Sequence, residues 1–314
     1  MELSIVTTLY GSAPYLEEFY ARVRAEAERL TQDYEVILVN DGSPDNSLAV
    51  ALSLYAKDER VRVIDLSRNF GHHKAIMTGL AHARGRLVFL VDCDLEEEPE
   101  LLGKFHAEKK CLGADVIYGV QRARKGNFIE RVTGDLFYLI FNLVSSYAVP
   151  ANQLTARLMS RHYVASLVEH KDRELFLAGL WAITGFTQIP VVVDKRSKGS
   201  STYNFRRRIA NLVNAVTSFS NTPLVLIFYL GCAIVLTAGI GALYLIVRRL
   251  FFGVLLAGWP SLIVSVWLLG GLTIFCLGVI GIYVSKIFME TKQRPYTVIR
   301  QIYERKGTAP HELP

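Results

Sequence analysis

Two apolar runs near the carboxyl end constrain this chain more than any other feature. Residues 224–247 and 259–285 carry no charged side chain, over about 24 and about 27 positions. A bilayer core needs only ~20 apolar residues in a helix, and buried helices of soluble proteins rarely run this long uncharged. The pair therefore reads as a transmembrane hairpin, expected over 223–285. Small residues in the second run (Gly270, Gly271, Gly278 and Gly281) suit helix contacts inside a membrane. With 51% hydrophobic residues overall, the 314-residue chain fits a soluble domain joined to membrane segments.

Two spans bring the chain back to the side it left. Arg206, Arg207 and Arg208 precede them, and Lys286, Lys292, Arg294, Arg300, Arg305 and Lys306 follow. The connecting segment holds only Arg248 and Arg249. This asymmetry places both termini and the soluble part in the cytoplasm. The four cysteines, Cys93, Cys111, Cys232 and Cys276, have no pairing or ligand spacing, which fits a reducing compartment. The amino terminus lacks a basic stretch followed by an apolar one, so no signal peptide is expected. A formal charge of +6 suits phosphates or a membrane surface, and no nucleic-acid partner is expected.

The first half alternates strand and helix patterns. Strands are expected at 3–9, 35–40, 61–66 and 87–91, with helical patterns at 15–30, 47–57 and 73–83 between them. That alternation means βαβ units and a mainly parallel sheet. No G-x-G-x-x-G follows the first strand, so the usual dinucleotide fingerprint is missing. The fourth strand stops on Asp92-Cys93-Asp94. Carboxylates at such a strand end sit where open α/β sheets place ligands. Their repulsion is relieved by a hard cation, which typically also takes substrate phosphates. The plain alternative is a solvated acidic loop, since Glu96 to Glu100 also fit a helix amino terminus. Asp41, in Asp41-Gly42-Ser43, either accepts hydrogen bonds from a base or ribose or is an ordinary turn residue. His72 and His73 read as loop or cap residues.

Asn40-Asp41-Gly42-Ser43, then Arg68-Asn69-Phe70-Gly71, then Asp92-Cys93-Asp94-Leu95 with Pro99-Glu100 resemble, in this order, glycosyltransferase family 2 with its GT-A fold. The likeness is closest to polyprenyl-phosphate glycosyltransferases, of which dolichyl-phosphate mannose synthase and GtrB-type enzymes are examples. The resemblance implies an α/β, Rossmann-like GT-A domain at 1–203. It implies inverting transfer of one sugar from a nucleotide sugar to undecaprenyl or dolichyl phosphate. Asp94, with Glu96, would hold Mg²⁺ or Mn²⁺. Thr8, Tyr10, Ser12, Asp41 and Asp92 would line the nucleotide. Ser12 stands where the family has Glu, and Glu96 where it has Gln.

The rest of the chain continues the likeness. Gln121 to Lys125 follows a strand pattern at 116–120 and offers Arg122 and Arg124 to a phosphate, or is a solvated basic turn. Residues 128–149 read as a helix at the membrane interface or against another copy in a homo-oligomer, with a core helix as the competing view. In 151–161, aligning Arg157-Leu158 on the family's G-D-F-R-L puts Thr155 at the position of the Asp often assigned as base. A phosphate acceptor with a second pKa of roughly 6 is mostly dianionic near neutrality and needs little help from a base. Arg196, Gly199, Ser201 and Tyr203 match the family's R-x-x-G-x-S-x-Y; a flexible linker is the alternative. Arg122, Arg124, Arg157 and Arg196 would bring the acceptor phosphate in by charge-assisted contacts. Residues 204–222 suit an amphipathic interfacial helix, and 286–314 a cytoplasmic tail. Two rivals stay open: a silent membrane scaffold and a transferase with a hydroxyl acceptor. The Q-x-x-R-W string of processive synthases is absent.

Overall fold

The computed structural model describes residues 1–121, 150, 152–173, 175–193, 216–217, 220, 222–252 and 258–305. These fall into two compact units: a sheet with its helices, which includes the segment from Arg294, and a pair of long helices.

In the first unit the chain runs β1 (Leu3–Leu9), α1 (Ala13–Leu30), β2 (Tyr34–Asn40), α2 (Ser47–Lys57), β3 (Val61–Leu66), α3 (His72–Ala81) and β4 (Leu87–Leu90). It continues with α4 (Leu101–Leu112), β5 (Val116–Gln121), β6 (Gln153–Ser160), α5 (Arg161–Glu169), α6 (Leu177–Ile183) and β7 (Gln188–Val193). β8 (Ile299–Tyr303) comes after the second unit. The eight strands form one sheet in the order β7-β5-β6-β4-β1-β2-β3-β8. β4, β1, β2 and β3 are parallel neighbours. β6 and β8 run antiparallel to β4 and β3.

The central strands form because they are apolar on both faces, as a sheet covered on both sides requires. Every residue of β1, β2 and β3 is buried. α1 presents Leu16, Phe19, Tyr20, Val23 and Ala27 to the core, a three-and-four spacing that makes one helical stripe. α3 lies so close to the sheet that a Cβ on Gly79 would meet Val6 Cγ1 at 2.5 Å. That close approach fixes the amino end of α3 over the carboxyl ends of β1 and β4.

The segment expected as a tail behaves differently. Residues 299–303 pair antiparallel with β3 and close that edge of the sheet. Arg300 reaches Asp65 at 3.1 Å, and Asp65 in turn takes a hydrogen bond from Asn40 at 2.7 Å. Glu304 pairs with Arg62 and Arg84. Thr297 and Thr78 on α3 share a hydrogen bond of 2.8 Å. β8 is satisfied because it meets an unpaired strand edge and these charges.

The second unit holds α7 (Thr222–Phe252) and α8 (Trp259–Thr291). Both contain stretches long and apolar enough to cross a membrane, at Thr222–Gly241 and Ser265–Thr291. Phe228, Tyr229, Ile240, Trp267 and Ile274 are exposed. Exposed aromatic and aliphatic side chains in this number are expected of a lipid-facing surface. Tyr283 on α8 donates to Ser220 O at 2.7 Å.

Candidate active site

Thr8, Asp41 and Asp92 lie at the carboxyl ends of β1, β2 and β4, the edge where open α/β sheets bind ligands. β6 approaches the same edge from the other direction. Its register pairs Leu90 with Arg157, which carries Thr155, two residues earlier, towards the acidic loop after β4.

That loop is tightly specified. Asp94 Oδ1 accepts the Glu96 N–H at 3.0 Å, closing a turn around Leu95, whose φ is 63°. A leucine in the left-handed region costs of order 1–2 kcal/mol and persists only where its surroundings enforce it. Part of that enforcement comes from Glu97. It is buried, and its two oxygens accept the N–H groups of Thr155 at 3.1 Å and Ala156 at 2.6 Å. Helix α4 starts only at Leu101, so Glu96, Glu97 and Glu98 precede it rather than forming its first turn. Cys93 points inward, donating to Thr8 O at 3.2 Å, and burial pushes its thiol up to about 11. A thiol so placed stays protonated and unreactive at neutral pH.

Asp41 ties two loops together. Its oxygens accept the N–H of Phe70 at 2.7 Å and of Gly71 at 3.0 Å. Gly42 beside it has φ +58°, and a Cβ there would lie 2.4 Å from Asn69 N, so only glycine fits. Burial raises the Asp41 pKa, against the lowering effect of those two N–H groups. Each oxygen keeps a further lone pair for a ligand.

Ser12 departs from its expected role as a nucleotide contact. It is buried, its Oγ accepts Tyr10 N–H at 3.0 Å, and its N–H goes to Ser47 Oγ at 2.9 Å. A small hydroxyl here shapes the loop that carries the exposed Tyr10. Asp45 completes the knot by accepting from Ala13 N–H, Ser47 N–H and the hydroxyls of Ser43 and Ser47. Desolvation alone would raise its pKa, but these four donors outweigh it and hold the carboxyl at about 2. The unfolded value is ~3.9. A depressed folded value stabilises above the unfolded pKa, and that contribution is lost as pH falls through about 2. Urea titrations at stepped pH are therefore expected to show a shallower acid limb for Asp45→Asn. Its pH dependence between roughly 5 and 8 should match that of the unaltered protein.

Arg157 is placed differently from its expected contact with a substrate phosphate. It is fully buried on β6, with its guanidinium 3.0 Å from the Trp181 ring centroid. It donates to Thr155 O at 3.3 Å and Leu154 O at 3.1 Å, while Nη1 has no hydrogen-bond partner. Burial lowers its pKa to about 10, so it keeps its charge at neutral pH. Lying against Trp181 of α6, it has no exposed surface to offer a phosphate. Arg122, Arg124, Arg196, Ser201 and Tyr203 lie outside the described residues.

Sequence reasoning missed two further members of the site. Glu97 is masked by the acidic run around it. His72 stands over Thr8 and Asp92, which are far from it in sequence.

Among the described residues, no group of three or more His, Cys, Asp and Glu side chains is gathered as a metal cage. Asp94 and Glu96 nevertheless fit a hard cation by donor type. Both offer carboxylate oxygens, and Mg²⁺ commonly takes one or two carboxylates and completes its shell with substrate phosphates and water.

Residues 4–168 match the family model described as Glycosyl transferase family 2. A Mycobacterium tuberculosis protein described as a glycosyltransferase is 57% identical over 303 residues, covering 96% of this chain and 89% of its own length. The glycosyltransferase YkcC of Bacillus subtilis is 34% identical, covering 96% of this chain and 94% of its own length. A prophage bactoprenol glucosyl transferase homolog of Escherichia coli is 30% identical over 305 residues, covering 96% of this chain and 99% of its own length. The mixed sheet, the acidic loop at its ligand edge and these alignments agree: the chain belongs to glycosyl transferase family 2, with the GT-A fold.

Proposed function

We propose that the protein transfers a single sugar, with inversion, from a nucleotide sugar to a polyprenyl phosphate at the cytoplasmic face of the membrane. The observation that carries this reading is the ligand edge of the sheet. Thr8, Asp92 and Thr155 stand at that edge beside the acidic loop, in a chain whose two apolar helices are bracketed by strands of the same sheet. Relatives named bactoprenol glucosyl transferase, aligned along nearly the whole chain, support the lipid acceptor.

In the proposed reaction an oxygen of the acceptor phosphate attacks the anomeric carbon. The bond from that carbon to the donor diphosphate breaks, and the nucleoside diphosphate leaves with the electron pair. Thr8, Tyr10, Asp41 and Asp92 bind the nucleotide. Asp94, with Glu96, would hold Mg²⁺ or Mn²⁺, which supplies neutralisation of charge on the leaving diphosphate. Arg122, Arg124 and Arg196 draw in the acceptor phosphate, and Ser201 and Tyr203 lie in the same proposed acceptor segment. Thr155 need not act as a base, because the acceptor is already ionised near neutrality. Its N–H anchors Glu97, and Thr155→Ala is expected to cost about tenfold in rate at most.

The test is incorporation of radiolabel from a panel of nucleotide sugars into lipid, using membranes that contain the protein. Label in the organic phase, released by mild acid as expected of a glycosyl phosphate, supports the reading. Label on an acid-stable hydroxyl acceptor, or none from any donor, overturns it.

The proposed topology has both termini in the cytoplasm. β8 supports it, since the chain leaves the sheet unit before α7 and rejoins it after α8. A cysteine introduced at position 253 is expected to react with an impermeant maleimide on intact cells. Tags at either terminus should be reached only after permeabilisation. Reaction of only one of the two terminal tags on intact cells would mean an odd number of spans, and reaction of both would invert the topology.

A further inference from the structure

The sequence presents His72 as a loop or cap residue, and the scheme above gives it no task. In the structure it opens α3 and lies over the ends of β1 and β4. Its Nδ1 is 3.0 Å from Thr8 Oγ1, and its Nε2 is 3.5 Å from Asp92 Oδ1. The side chain is 47% exposed, so it faces the open edge of the site. His73 turns elsewhere, with Nδ1 3.1 Å from Leu175 O. One imidazole thus meets the Thr8 hydroxyl of β1 and faces the Asp92 carboxylate just beyond β4.

Of the two tautomers of the neutral ring, one suits this arrangement. A ring lone pair aimed at a carboxylate oxygen would be repelled, so the proton belongs on Nε2. In the neutral ring Nδ1 is then an acceptor. The Thr8 hydroxyl gives it its only proton and keeps two lone pairs. Towards a ligand, Thr8 can now act only as an acceptor. Asp92 is an acceptor as well, with one oxygen already facing the imidazole.

We propose that His72 is a positioning residue of the donor site. It sets Thr8 as an acceptor and holds Asp92 in one orientation, so that the two together select a ligand edge bearing two donors, such as neighbouring hydroxyls or a hydroxyl and an N–H. The inference rests on the donor-site reading given above. It also names the replacement that should work. A glutamine can accept from Thr8 through its carbonyl and donate to Asp92 through its amide. A phenylalanine keeps the ring but can do neither.

The experiment uses the full chain in detergent: unaltered, His72→Gln and His72→Phe. Uridine diphosphate and guanosine diphosphate are titrated calorimetrically, and KM and kcat are measured with the nucleotide sugar that supports transfer. His72→Phe is expected to weaken binding of the preferred nucleotide, and to raise KM, by about tenfold, with kcat little changed. His72→Gln should recover most of the loss. Unchanged affinity in His72→Phe, equal impairment in both variants, or a fall in kcat at constant KM overturns the inference and leaves the donor site standing. If the unaltered chain binds neither nucleotide, the donor-site reading itself fails and takes the inference with it.

Discussion

Asp94→Asn is expected to lower sugar transfer on the order of 10²–10³-fold, the scale seen when one preorganised group facing developing charge is lost. The chain should remain folded and in the membrane. The substitution keeps size and shape, and the Asn side-chain oxygen can still accept the Glu96 N–H that closes the turn around Leu95. What it removes is a negative charge at the edge where the donor diphosphate is proposed to sit. A hard cation loses more from that than a half-buried turn does. Two measurements separate the effects. Calorimetric titration of Mn²⁺ in the presence of nucleoside diphosphate should show weakened binding, while the thermal midpoint should move little. Near-normal transfer at limiting metal would remove Asp94 from the site.

Arg157 carries the second large effect, and it falls on stability first. Arg157→Ala would empty a volume walled by Trp181 and Tyr118, lose two hydrogen bonds to backbone carbonyls and unstack the indole. Large-to-small changes at closed sites cost about 2–5 kcal/mol, and this one belongs at the upper end. Arg157→Met should behave otherwise. Among the described residues no carboxylate lies within ion-pair distance of this guanidinium, and the buried Glu97 offsets its charge only from further off. Replacing a poorly compensated buried charge by an apolar side chain of similar volume is often neutral or stabilising, and the expected change is within about 1.5 kcal/mol. Urea denaturation followed by tryptophan fluorescence would compare the two. If Arg157→Met is as stable as the parent yet inactive, the buried cation serves the reaction through its field. If it is stable and active, Arg157 is a packing element.

The parts of this molecule that were legible in sequence are those with local causes. β1 to β4 are short apolar runs ended by turn residues, and α7 and α8 hold stretches long and apolar enough to cross a membrane. The acidic pair announced itself by standing at a strand end. Features that depend on distant partners were not legible. β8 reads Ile299-Arg300-Gln301-Ile302-Tyr303, an alternation too short to stand out after a long apolar run, and its partner Asp65 lies 235 residues away. Glu97 sits among other glutamates, and its burial depends on β6 arriving from 58 residues further on. β6 itself drew notice as a motif rather than as a strand, because Arg157 in its middle looks like a surface residue. His72 is 64 residues from Thr8, and only the close approach of α3 to the sheet brings them together. The inward direction of the Ser12 hydroxyl was not visible either, because it depends on the loop's own Tyr10 N–H.

β8 also has a consequence for biogenesis. A ribosome releases β3 early and β8 almost last, with both apolar helices made in between. At ~5–20 residues per second the outer edge of β3 stays uncovered for on the order of ten to fifty seconds. During that time Asp65 lacks Arg300, and a bare strand edge is an aggregation hazard. The sheet can close at this edge only after both apolar helices have been made. Completion of the sheet unit therefore waits on synthesis of both helices, and until then its β3 edge stays open.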